Sequence, residues 1–446
     1  MSEQPEQRFS SPADAQRRWA IPVPRTFQSL RNYNFRLFWF GQLMSLIGTW
    51  MQTVGQAWLV LELTQSPLAL GTVTALQFLP VLVLTLFAGV IVDRLPKRRL
   101  LLVTQSAALV QALALALLVS SGLVQLWHVY LLAALLGLVN AFDNPTRQAF
   151  IIEMVGREDL VNAVALNSTL FNGARVVGPA LGGIVIASVG LAVCFYVNAL
   201  SFLAMLAGLL LMREGLLRAP PRRPAGRVLS QLVEGISYAV RTPAVLLIVI
   251  LMGTLGTFGY NFTVVLPLLA RNVLGVGAEG FGALTSAMGA GSLAAALVLA
   301  TLRRTSRRTL FLGAASFTLL LAVLAGSRWY AVSLVVMVLL GIAGLAFTAT
   351  ANALLQLSVP DVLRGRILSL YTLLFLGSTP IGGLVTGFLA DRWGIQMALG
   401  LESLVCAVGV IGGLSYYLAI RRQAAPVGAA GAVEEAGEFG GGQGVP

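Results

Sequence analysis

Twelve stretches of nearly unbroken apolar sequence, each at least 18 residues long, alternate with polar breaks between residues 37 and 420. They run over 37–63, 68–92, 100–120, 127–146, 162–189, 191–212, 244–270, 280–302, 309–326, 329–355, 366–390 and 396–420. About 20 apolar residues in a helix cross the roughly 30 Å hydrocarbon core of a bilayer. The pattern therefore predicts an all-α membrane protein with twelve transmembrane helices. Most breaks are short, so successive helices reverse direction and pack as one bundle.

The longest polar interior segment divides these spans six and six. It covers 213–243 and holds Pro220, Pro221 and Pro224. The predicted organisation is an N-terminal tail at 1–30, a first half at 31–212, this cytoplasmic central loop, a second half at 244–420 and a tail at 421–446. Both tails are rich in Pro, Ala, Gly and polar residues and are expected to be disordered. The halves echo each other. Val155–Gly190 carries a charged loop and then Gly178-Pro179-Ala-Leu-Gly182-Gly183, while Val359–Gly394 carries a charged loop and then Thr379-Pro380-Ile-Gly382-Gly383. Six helices per repeat relate the halves by an axis along the membrane normal, the arrangement that places substrate at the midplane between them.

Composition agrees, at 57% apolar and 11% charged residues. A net charge of +12 would suit a nucleic-acid binder, but its placement argues otherwise. With a cytoplasmic N-terminus, 26 of the 30 Lys and Arg fall in inside segments. Only Arg271, Arg328 and Arg392 lie outside, and Arg175 lies within a span. This asymmetry predicts cytoplasmic termini and assigns the basic excess to topology and anionic lipid rather than to nucleic acid. Cys194 and Cys406 fall in apolar helices as free thiols, and His128 sits beside Trp127 at a helix end. No metal spacing or cofactor motif is present. No cleavable signal is apparent, so the first apolar run is expected to remain as the first span.

The densest chemistry lies in Gly89-Val-Ile-Val-Asp93-Arg94-Leu-Pro96-Lys97-Arg98-Arg99, between the second and third spans. Gly89 and Asp93, four residues apart, share one helix face. This stretch resembles the G-x-x-x-D-R-x-x-(R/K)-(R/K) signature of the major facilitator superfamily. Further residues are similar to the enterobactin-exporter-like, or transmembrane secretion effector, branch: Arg31–Arg36, Phe142–Phe150 ending the fourth span, and Leu160–Ser168 and Ala174–Gly183 in the fifth. The resemblance covers about 31–420. It implies two pseudo-symmetric six-helix halves and a gate in which Asp93 pairs with nearby cations and a helix terminus of the other half. The loop 302–309 keeps Arg303, Arg304, Arg307 and Arg308 but has no acid, so one half alone carries the full latch.

Gly178-Pro179 with Gly182 and Gly183 resembles the glycine-proline motif of drug–proton antiporters, which implies a bend that favours export. Proline frees a backbone carbonyl and bends a helix, and glycines admit a close neighbour; packing alone is the competing reading. Arg175 lies near the middle of its span, where an arginine costs about 2.5–3.5 kcal/mol on insertion scales. It is either a structural hydrogen-bonding residue or a cavity cation that binds an anionic group or tunes a proton-carrying acid. Three acids remain open for that proton: Asp143, with Arg147 four residues on as a local partner, Glu62 and Glu402. Gln42, Ser45, Thr49, Gln52 and Gln56 form one polar stripe on the first helix. Asn167 and Asn172, Tyr260 and Asn261, and Asn352 join it as candidates for a cavity lining, with interhelical hydrogen bonding as the alternative.

No P-loop exists, so no nucleotide-driven or enzymatic chemistry is expected. One charge moving down about 100 mV is worth around 2.3 kcal/mol, adequate for secondary transport. The expectation is a proton-coupled exporter of a small organic or amphiphilic solute, an antiporter of the bacterial-type inner membrane. An uptake symporter and a non-transporting scaffold are the alternatives.

Overall fold

The computed structural model describes residues 25–218, 228–301 and 306–424. The first half contains α1 (Tyr33–Thr64), α2 (Pro67–Arg94), α3 (Lys97–Ser120), α4 (Leu126–Val155), α5 (Leu160–Ser188) and α6 (Leu191–Leu210). A connecting helix, α7 (Val228–Arg241), precedes the second half. That half contains α8 (Pro243–Gly259), α9 (Phe262–Asn272), α10 (Ala278–Thr301), α11 (Arg307–Gly326), α12 (Tyr330–Ser358), α13 (Asp361–Leu376), α14 (Thr379–Trp393) and α15 (Ile395–Ala424). The seventh span is broken into α8 and α9, and the eleventh into α13 and α14. Both described ends of the chain lie on one face of the bundle, the terminal face; the opposite side is the far face.

Eleven spans are long and apolar enough to cross a membrane on composition alone. The exception is α1, which at 32 residues is ample in length. Its glutamine stripe lowers its hydropathy, and tertiary partners inside the bundle compensate, so sequence and fold agree on twelve.

Helix ends follow local chemistry. Ser66 caps α2 by accepting from the Ala69 N–H at 3.2 Å, with Pro67 in the first turn where its missing N–H costs nothing. Ser306 caps α11 in the same way, from the Thr309 N–H at 3.1 Å. Gln125 and His128 cap α4 reciprocally. The internal repeat is visible in the backbone. Gly190 and Gly394 each precede the last span of their half with φ of 109° and 80°, a conformation that only glycine adopts without strain.

Four sequence expectations change. The fourth span does not end near Pro145 but continues to Val155, so Phe142–Phe150 lies within the helix. The Thr146 hydroxyl bonds the Phe142 carbonyl at 2.6 Å beside the proline. The central segment carries α7, an amphipathic helix whose Glu234 pairs with Arg366 of α13. In the N-terminal segment, Arg25–Arg31 is ordered as a 3-10 helix, because buried Ser29 donates from Oγ and N to Asn162 Oδ1 at 2.7 and 2.9 Å. The rest of the tails, and Arg303 with Arg304, lie outside the described residues. Finally, the eleventh span, 366–390, is not one continuous helix: Gly377 and Ser378 end one helix, and Pro380 sits in the first turn of the next.

The halves meet chiefly on the far-face side. There α9, α10 and α14 pack against α1, α2 and α5. Glycine makes this seam. A methyl added at Gly282 would meet the Pro179 carbonyl and the Gly183 backbone, and one at Gly183 would meet Ala278 and Glu279. On the other side, Gly71 faces Gly383 and Gly387, and Gly387 faces the Pro67 carbonyl. Among the glycine contacts across the boundary, those nearest mid-span are Arg175 against Gly289 and Leu82 against Gly377.

Gly282→Val is expected to force this seam open. Overpacking costs about 1–3 kcal/mol, and about 1.4 kcal/mol is a tenfold population change. Spin labels at exposed Ser188 and Arg328 should report a longer far-face distance. An unchanged distance distribution would mean that the seam does not hold this face closed.

Candidate functional site

Arg175 lies at the inner end of the seam between α5 and α10. Its backbone carbonyl abuts Gly289, which a larger residue would displace. Its guanidinium stands 5.8 Å from the Trp50 ring centroid, and its Nη2 lies 4.0 Å from the Met288 sulfur. No carboxylate pairs with it among the described residues. A half-buried cation held by a π-face and a thioether retains most of its donor capacity. Across the boundary, the Tyr260 hydroxyl donates to the Gly344 carbonyl at 2.8 Å. Its ring stacks on Phe317, with centroids 4.6 Å apart, and meets Phe375 edge-on at 5.0 Å. The inner part of the boundary is thus an aromatic wall with one cation.

The polar stripe of α1 is used mostly inside the first half. Gln42 donates to Asn167 at 2.8 Å, Gln52 to Gln111 at 3.0 Å, and Gln56 to Gln77 at 3.3 Å. Asn198 of α6 donates to Gln52 at 2.6 Å. Thr49 bonds the Ser45 carbonyl, and Asn172 bonds that of Ser168, each at one turn's distance. Asn352 accepts from Gln356. These amides tie α1 to α2, α3, α5 and α6. The partners Gln77, Gln111 and Asn198 were not singled out in the sequence, although each is an amide in an apolar helix, the available signal.

The three open acids separate clearly. Glu62 is exposed at the far-face end of α1. Asp143 is 4% exposed and saturated: Thr104 and Gln105 each donate to Oδ1 at 2.7 Å, and Arg147 pairs with Oδ2. Glu402 is 2% exposed, accepts from the Thr386 hydroxyl, and has no cation beside it among the described residues.

In the Gly89–Arg99 stretch the cations divide their work. Lys97 is buried and pairs with Glu153 of α4 at 3.4 Å. Arg98 donates to the Leu209 and Leu210 carbonyls at 2.7 and 3.0 Å, neutralising the C-terminus of α6, and it also pairs with Glu214. Arg94, Arg99 and Asp93 are exposed. A side chain at Gly89 would meet nothing within 4 Å. In this conformation the stretch binds the first half together, and among the described residues its acid has no ion-pair partner in the second. Glu153 escaped the sequence reading because it lies beyond the proline taken as the helix end.

Gly178 and Gly182 admit Trp50 and Met51 of α1, whereas Pro179 and Gly183 face α10. One motif therefore packs a helix on its own half and on the other half at once.

Residues 25–429 match the family model described as transmembrane secretion effector. The chain belongs to this family of major facilitator transporters. Relatives across the same length include the staphyloferrin A transporter of Staphylococcus aureus, 25% identical over 83% of this chain and 92% of that one. The multidrug efflux pump Tap of Mycolicibacterium fortuitum is 30% identical, covering 83% and 93%. The enterobactin exporter EntS of Shigella flexneri is 24% identical, covering 79% and 84%. A bacterial homologue of the lysosomal transporter Spinster, solved inward-facing and unoccupied, shares the fold with a TM-score of 0.68 at 14% identity, over 90% of this chain and 98% of that one. The nucleoside transporter NupG does so with a TM-score of 0.64. This family member is a multi-pass membrane transporter built on the major facilitator fold.

The buried Lys97–Glu153 pair yields a direct test. Removing one partner of a buried pair costs about 3–5 kcal/mol, because the other charge is stranded. Lys97→Ala should lower thermal stability in detergent accordingly, and adding Glu153→Gln should recover most of the loss. Arg99→Ala, exposed, should stay within about 0.5 kcal/mol. Equal losses in the single and double variants would show that the pair does not stabilise the fold.

Proposed function

We propose that this transporter is a proton-coupled exporter of a small organic, amphiphilic solute, working by alternating access in a bacterial-type cytoplasmic membrane with both termini inside. The charge asymmetry supports that orientation. The terminal face is then cytoplasmic, and the boundary between the halves opens toward it in this reading as the cleft that receives cargo from the cell. Relatives named as an enterobactin exporter and a multidrug efflux pump support export.

The observation that carries the reading is Arg175, a mid-span cation without a carboxylate, at the inner end of the closed seam and beside aromatic side chains. An intramembrane cation faces a wet cavity or a partner, and here the partner is cargo. Arg175 supplies charged donors to an anionic or oxygen-rich group, while Trp50 and the Tyr260 wall take its apolar body. Asp93 completes the cycle. When the far face opens, the terminal-face ends of α2 and α13 approach, and the free acid gains an opposite-half helix terminus. The Gly178-Pro179 motif is the pivot, since it already faces both halves.

The test is uptake into inside-out proteoliposomes with a proton gradient, using carboxyfluorescein as an anionic probe and ethidium as a cationic one. Arg175→Ala should raise the KM for carboxyfluorescein about tenfold or more, since hydrogen bonds to a charged group contribute about 1.5–3 kcal/mol. Arg175→Lys should recover part of it, and ethidium should be little affected. A uniform fall in turnover for both probes would assign Arg175 to structure instead. Separately, Asp93→Asn should reduce turnover while stability changes by no more than about 0.5 kcal/mol. Full turnover in that variant would remove the latch.

A further inference from the structure

Glu402 of α15 lies in a pocket made by the two broken spans. The Thr386 hydroxyl of α14 bonds to its carboxyl and to the Gly382 carbonyl at 2.8 Å, and the Asn261 side chain, at the break between α8 and α9, packs against Gly382. Asn261 is 2% exposed. Its Nδ2 donates to the Thr257 carbonyl at 2.7 Å, but its Oδ1 is buried without a partner. Gly382, in the first turn of α14, has no side chain because the Thr257 carbonyl and the Asn261 amide occupy that space. Likewise, Gly256 of α8 packs on Leu374 and Ser378 at the other break. Two helix interruptions and one carboxyl thus form a single contact group.

The charges around it are accounted for on every packed element. Cys406 is one turn along α15, and Tyr260 adjoins Asn261. On α14, Asp391 faces Ser66 and Arg392 covers Phe388. Arg271 of α9 donates to the Leu61 carbonyl at 2.6 Å. Arg307 and Arg308 sit at the terminal-face end of α11, at the opposite end of that span. No cation neutralises Glu402 among the described residues. An isolated buried carboxylate takes up a proton rather than remain charged. The neutral group then has an O–H to donate, and Asn261 Oδ1 is an acceptor that lacks a donor.

We infer that Glu402 is the proton carrier of this transporter, held as a neutral carboxyl by Thr386 and Asn261 and coupled to cargo through the break in the seventh span. The inference rests on the proton-coupled export reading above and supplies its acid. Glu402 lies seven residues from the far-face start of α15. A proton from water on that side adds to the carboxylate when the far face opens, and the carboxyl returns it to cleft water after closure. Tyr260 and Asn261 are adjacent, one in the aromatic wall and one on the carboxyl. Cargo that moves the wall moves the break and withdraws the acceptor of the carboxyl proton. Asp143, already held by Thr104, Gln105 and Arg147, is not assigned this role.

Infrared difference spectra of the full-length protein over a pH titration read the carboxyl directly. Wild type should show a protonated-carboxyl band that titrates. Glu402→Gln should abolish it, Asp143→Asn should keep it, and Thr386→Val should keep it at a shifted frequency because a donor is gone. In proteoliposomes, Glu402→Gln should lose gradient-driven carboxyfluorescein accumulation while retaining carboxyfluorescein counterflow. Persistence of the band or of full accumulation in Glu402→Gln overturns the assignment. Accumulation absent from wild type would instead overturn proton-coupled export, and the infrared band would still decide whether Glu402 holds a proton.

Discussion

The far-face seam is the constraint on which the rest of the structure depends. Lipid offers no hydrophobic drive for one apolar helix to leave it for another, so the halves must be joined by close packing and hydrogen bonds. Here glycines on α2, α5, α10 and α14 bring backbone against backbone. Arg271 adds a bond across the boundary to the Leu61 carbonyl at 2.6 Å, and Ser66 reaches Asp391 at 3.4 Å. Every element of the cleft is hung from this seam: Arg175 abuts Gly289 at its inner end, and α14 presses on α2 beside the broken spans.

A seam made of glycine is also reversible. Most of its stabilisation is dispersion at short range, which falls off within an ångström of separation, and among the described residues it holds no ion pair whose stranding would oppose opening. Contrast the terminal side of the first half, where Lys97–Glu153, Arg98 on the end of α6 and the Ser29–Asn162 bonds tie elements of the same half. Among the described residues the ion pairs lie within the halves, and shape-dependent packing with a few hydrogen bonds lies between them. That division is what lets a rigid half move against the other.

Much of the fold was legible in the sequence because lipid makes apolar length so direct a signal. The twelve spans followed from it, the six-and-six division from the polar central segment, and the repeat from the paired glycine-proline motifs. What escaped was set by tertiary context. Pro145 reads as a helix end and is tolerated inside α4, while Pro380 falls inside one apolar span and begins α14; local sequence does not distinguish them. The amphipathic helix α7 was hidden by proline-rich sequence just before it. At the candidate site, residue types were legible but partners were not. Asp143 and Glu402 look equivalent as mid-chain acids. Only the fold reveals that one is satisfied by Thr104, Gln105 and Arg147, and that the other has a hydroxyl, an amide and no cation.

The placement of Arg175 in the first half and Glu402 in the second carries a last consequence. An arginine and a carboxylate inside the same membrane would pair if they could meet, and the pair would be strong in a low dielectric. Such a pair across the halves would resist separation and fix one conformation. Instead Arg175 rests on Trp50 and Met288, and Glu402 on Thr386 and Asn261, with the Tyr260 break between them. Each group is left one partner short. In the proposed exporter, cargo and proton are the partners that remain, and the break beside Glu402 would carry the effect of filling one site to the other. Under that proposal, exchange of the two ligands needs only two incomplete sites coupled through a hinge, with no direct contact between the charges.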